Sequence, residues 1–100
     1  MPKIKLAVPH QLTQEEAKTR ISKLIADTRT KFGNQVTDLK EGWTGYSDAF
    51  SFRAMGFNVD GTLQVESAEV RIDINFPLLA MPFKGQVEST ILKRARELLA

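Results

Sequence analysis

The sequence contains no cysteine. A disulfide framework, a thiol nucleophile and any cysteine-ligated zinc or iron–sulfur centre are therefore excluded. Histidine is nearly absent as well. The single residue, His10, rules out a paired-histidine metal site, and a serine triad would have to use it without any Gly-x-Ser-x-Gly elbow in the chain. The 6 glycines are scattered and lack the spacing of a dinucleotide or nucleotide-phosphate loop. No apolar run approaches the ~20 residues of a membrane span, and Met1 to His10 lack a stretch of signal-peptide length, so a cytoplasmic location is expected. Charge of one sign is not in excess either, with 14 basic and 12 acidic residues giving a net +2. A pI near 9.1 would by itself suggest a nucleic-acid binder. The helix cations, however, alternate with Glu15, Glu16, Asp27, Glu88 and Glu97, and the polar sheet positions lack stacking aromatics, so nucleic acid is not expected as a partner. No cofactor and no metal are read from these residues, and no enzyme activity is expected.

What is present is an ordinary globular composition: 100 residues, 42% hydrophobic and 26% charged. A chain of that length buries roughly 60–70% of its unfolded surface, enough for one core, so residues 1–100 are expected to form one domain. The segment Lys3–Val8 alternates, with Ile4, Leu6 and Val8 on one side, as a half-buried strand does, and its lysines suit a sheet edge. Thr13-Gln14-Glu15-Glu16 reads as a capping box. The helix it opens carries Ala17, Ile21, Leu24, Ile25, Thr28 and Phe32 along one side and stops at Gly33.

Residues 34–47 follow neither helical nor strand spacing, and one short strand near 35–41 is assigned there. Alternation then resumes through Phe50, Phe52 and Ala54, through Phe57, Val59, Leu63 and Val65, and through Val70, Ile72, Ile74 and Phe76. Asp60-Gly61 is the strongest short hairpin signal, yet 57, 59, 61, 63 and 65 keep one parity, which favours a turn at Met55-Gly56. That turn pairs Phe50 with Gly61, so a ring covers the glycine, and a second turn falls at Ser67-Ala68. The last helix begins between Pro82 and Gly85 and presents Val87, Ile91, Ala95 and Leu98. The expected fold is α+β: a one-sided, mainly antiparallel sheet of four to five strands with two helices on its apolar face, in the order β-α-β-β-β-β-α.

Two groups of side chains stand out. Leu78, Leu79, Met81 and Phe83, followed by Lys84, form the most apolar connecting segment; they either plug the end of the core or mark an interaction surface. Trp43, Phe50, Phe52 and Phe57 either fill the core or line a cleft between helices and sheet. Asp60 and Asp73, with Arg53, share the polar sheet side, where nothing excludes water, and are read as solvated.

Pro2-Lys3-Ile4, Pro9-His10-x-Leu12 and above all Leu78-Leu79-Ala80-Met81-Pro82-Phe83-Lys84-Gly85-Gln86-Val87-Glu88 resemble the polyhydroxyalkanoic acid system family of small bacterial proteins, over nearly the whole chain. The Gly42–Tyr46 region looks longer than that pattern, which implies a local loop of its own. The resemblance implies a place at or around polyester storage granules and brings no catalytic residues with it. Three function classes follow: a non-enzymatic accessory protein binding the granule surface or a granule-associated protein, a domain holding an acyl or other apolar ligand in a cleft, and a structural or regulatory homo-oligomer.

Overall fold

The computed structural model describes residues 3–54 and 56–100, the side chains of residues 28, 29, 31, 32 and 34 excepted. Strand β1 (Lys3–Pro9) is followed by helices α1 (Gln14–Ile21) and α2 (Lys23–Phe32), strands β2 (Val36–Thr44), β3 (Ser47–Ala54), β4 (Phe57–Val65) and β5 (Glu69–Asn75), and helix α3 (Lys84–Leu99). Short 3-10 turns occupy Gly33–Gln35 and Leu78–Phe83. The strands form a single antiparallel sheet in the order β1-β5-β4-β3-β2, which makes β1 and β2 its two edges.

The register follows from the parity of the apolar residues. Across β3 and β4, Phe50 lies opposite Gly61, Phe52 opposite Val59 and Ala54 opposite Phe57. This is the pairing expected for a turn at 55–56, where Gly56 takes a φ of 83° that other residues resist; Met55 itself lies outside the described residues. Val65 faces Val70 and Leu63 faces Ile72, as a turn at Ser67-Ala68 requires. Gly61 accommodates its neighbours by lacking a side chain: a Cβ there would overlap the Asp73 carbonyl oxygen and stand 2.9 Å from Phe50 Cζ.

Three expectations are corrected. The first helix is divided: at Ser22 the hydroxyl donates to the Thr19 carbonyl at 2.7 Å, a back-bond that bends helices, and the chain restarts as α2 in a direction that reaches β2. Second, the strand assigned near 35–41 runs from Val36 to Thr44, and the Gly42–Tyr46 region is the end of that strand and a tight turn, not a loop. Its parity is hidden by a bulge. Thr37 pairs with Arg53 and Lys40 with Ser51, so β2 spends three steps where β3 spends two, and Asp38 absorbs the extra residue at a φ of 55°. Counting that residue, Val36, Leu39 and Trp43 fall on one side, and all three are half-buried. Third, α3 buries Ala95 and Leu99, with Val87, Ile91 and Leu92 half-buried against the core, so the stripe advances by four from 87 to 99 and leaves Leu98 at its margin.

All three helices pack on the same side of the sheet. Ile4, Val8, Ile21, Leu63, Val70 and Ile72 are the largest fully buried apolar side chains of the core beneath them. Thr13 caps α1 by accepting the Glu16 N–H at 3.1 Å, while the Glu16 carboxylate turns instead to Arg20, 2.9 Å away. Arg94 ties α3 to α2 through Asp27 at 2.6 Å.

Candidate interaction surface

The connector between β5 and α3 owes its form to its sequence. Phe76 is buried and anchors the end of β5, and Pro77 holds an extended backbone that delivers the Ala80 N–H to the Pro77 carbonyl at 3.0 Å. Ala80 is buried and Met81 is packed against the core. Leu78, Leu79 and Phe83 are left 71%, 81% and 48% exposed, and they are all of the exposed large apolar side chains among the described residues. Lys84 stands beside them, paired with Glu88 at 3.7 Å. The connector leaves the sheet where Lys3, Asn75 and Asp60 align across β1, β5 and β4, so the exposed Lys3 belongs to the same end.

The aromatic residues divide into two places. Phe50 is buried and its ring stacks on Phe52 at 6.3 Å, while Phe57 lies further along the β3–β4 hairpin, which extends past the end of β5. Trp43 stands apart from them. It faces α1, where the Lys18 ammonium lies 5.1 Å from its ring and 5.8 Å from that of Tyr46 while donating to the Gly45 carbonyl at 2.8 Å. The Tyr46 hydroxyl donates to Glu15 at 2.7 Å, and the carboxylate beside it raises the phenol's pKa above its ordinary value. These contacts fasten the β2–β3 turn to α1.

His10 is held on both ring nitrogens. Nε2 donates to the Glu66 carbonyl at 2.9 Å and Nδ1 accepts the Leu12 N–H at 3.2 Å, which accounts for the residue as a pin between the start of α1 and the β4–β5 turn. Asp48 was not singled out by spacing. It occupies a row of the helix-facing side that reads Leu6, Ile72, Leu63, Asp48, Trp43 across the five strands, and it is 0% exposed. One carboxylate oxygen accepts the Gly42 N–H at 3.1 Å and the other has no protein partner. A period-2 reading that placed Asp48 with Phe50 and Phe52 would have exposed the anomaly.

Among the described residues no helix lies on the opposite side of the sheet. Its rows read Lys40, Ser51, Asp60, Asn75, Lys3 and, one step on, Gly42, Ala49, Thr62, Asp73, Lys5. Asn75 donates its amide to Asp60. Beside the β2 bulge, a depression of about 320 Å³ is bounded by Asp38, Lys40, Ser51, Phe52, Arg53, Asn58, Val59 and Asp60. No group of three or more metal-ligating side chains gathers among the described residues, and no helix among them is long and apolar enough to cross a membrane.

These features define an α+β domain that presents an apolar connector at one end of a one-sided sheet. The chain belongs to the family described as "Putative polyhydroxyalkanoic acid system protein (PHA_gran_rgn)", whose sequence model matches residues 4–99. No curated protein matches it. Among solved structures it is similar to the crystal structure of Ara h 8.0201, with a TM-score of 0.49, 8% sequence identity, and coverage of 98% of this chain and 97% of that one.

Proposed function

We propose that the protein is a non-enzymatic accessory component of polyhydroxyalkanoate storage that attaches to the surface of the cytoplasmic granule through Leu78, Leu79 and Phe83. Met81 supports the patch from beneath, and Lys84 lies at its margin. The observation that carries this reading is the concentration of the large exposed apolar side chains in one six-residue segment. Such a cluster is costly to leave in water unless something covers it. Covering what these three side chains expose yields roughly 3–6 kcal/mol before association costs, which corresponds to weak, reversible attachment. The patch carries few hydrogen-bonding groups, which favours an apolar polyester surface over a specific protein partner.

The test is sedimentation with granules stripped of protein. The wild type is expected in the pellet and a Leu79→Asp, Phe83→Ser variant in the supernatant, with equal melting temperatures for the two. Equal soluble fractions for both would refute the proposal. Pelleting only with unstripped granules would replace the polymer surface by a granule-associated protein.

A further inference from the structure

We propose that the depression on the open side of the sheet, beside the β2 bulge, is a binding site for a small hydroxy acid. Its walls offer two complementary sets of groups. Lys40 and Arg53 are diagonal neighbours across β2 and β3, Ser51 lies opposite Lys40, and Asn58 lies opposite Arg53. Neither cation makes an ion pair among the described residues, although Asp38 and Asp60 bound the same space. One Asp60 oxygen receives the Asn75 amide, and the Asp38 backbone occupies the positive-φ position of the bulge, a conformation that aspartate tolerates better than most residues.

The donors left over are an arginine fork, an ammonium, a hydroxyl and an amide, the set that recognises a carboxylate. The acceptors left over are carboxylate oxygens, which take a hydroxyl hydrogen. Lys40 and Arg53 balance Asp38 and Asp60 in charge, so the depression disfavours a multiply charged phosphate, and a single carboxylate would be held by its local contacts to the two cations. Its volume of about 320 Å³ leaves room for a small molecule of that kind. The depression adjoins the bulge, whose Asp38 and Lys40 form one of its walls.

The site is independent of the apolar connector and survives if the granule reading fails. The two readings converge in one respect, since hydroxyalkanoic acids are the units of the polymer that gives the family its description. The depression also lies at the end of the sheet from which the connector leaves, with Asp60 opposite Asn75.

The experiment is a heteronuclear NMR titration of the whole chain with hydroxybutyrate, with its methyl ester and with inorganic phosphate as separate probes, at low and moderate salt. Hydroxybutyrate is expected to give saturable shifts at the Lys40, Ser51, Arg53 and Asn58 amides, weaker in salt, and the ester none. Arg53→Ala is expected to weaken binding by about tenfold, the loss of one charge-assisted pair. A Leu79→Asp, Phe83→Ser variant should bind hydroxybutyrate unchanged, and Arg53→Ala should still pellet with granules, which separates this site from the docking patch. The proposal is overturned if no saturable shift is seen, if the ester shifts the same amides as the acid, or if phosphate binds more tightly.

Discussion

Gly61→Ala tests the core register more sharply than any removal of a large side chain. The added Cβ would overlap the Asp73 carbonyl oxygen, stand 2.9 Å from Phe50 Cζ and meet Ile74 Cα at 3.1 Å. The Phe50 ring can tilt away, but the carbonyl belongs to β5, which is held by β4 on one side and β1 on the other. Relief therefore requires moving backbone in the interior of the sheet, which places the cost at or above the upper end of the ~1–3 kcal/mol typical of overpacking. A loss of about 3 kcal/mol lowers the melting temperature of a domain of this size by about 12–24 °C. The control is Gly42→Ala, where a Cβ meets nothing within 4 Å; there alanine should be neutral or raise stability by up to about 0.5–1 kcal/mol, since it restricts the unfolded chain. Both variants are to be melted in urea with slopes compared to the wild type. A Gly61→Ala protein as stable as Gly42→Ala would refute the pairing of Phe50 with Gly61 and the β3–β4 register with it.

Ile72→Ala, in the fully buried middle of β5, should cost about 2–5 kcal/mol, whereas Gln64→Ala on the open side should change stability by no more than about 0.5 kcal/mol; equal losses in a denaturant melt would mean that the open side is covered. Asp48→Ala should cost about 1–3 kcal/mol because the Gly42 N–H loses its acceptor, and Asp48→Asn, which keeps a carbonyl oxygen there, should lose less; the reverse order in chemical unfolding would discount that hydrogen bond. The Tyr46 phenol should titrate above 10.0, and Glu15→Gln should bring it down, as followed by ultraviolet absorbance. Because the folded-state pKa is raised, the stability linked to the Tyr46–Glu15 contact is fully present below the ordinary tyrosine value and is lost as pH rises through the raised one.

The strands from Phe50 to Phe76 were legible because each keeps one face in water and one in the core, so parity alone placed the turns and the pairs. Parity failed at β2 because a bulge shifts it by one, and a single extra residue at Asp38 is invisible to a period count. The division of the first helix was hidden for another reason. Its apolar stripe runs through the break, and only the back-bonding hydroxyl of Ser22 marks the place. The apolar connector was visible as composition, but which of its side chains face outward is decided by how the connector packs, with Ala80 buried, and a six-residue apolar run has no period that shows it. Asp48 and the depression beside the bulge required the cross-strand rows, because their members are distant in sequence and meet only in the sheet.

The two edges of the sheet also bear on how the protein behaves when crowded. An exposed strand edge is a template for another strand, and molecules gathered on a surface reach concentrations at which edge-to-edge growth becomes favourable. At β1, Lys3 and Lys5 project from the open side, so a second copy laid antiparallel would bring ammonium groups together, and Pro9 withholds a donor at the strand's end. At β2 the bulge bends the backbone in mid-strand, so a straight partner loses register after a few residues. These features disfavour fibrous growth from either edge, and a layer of such molecules can become dense while each retains its own sheet.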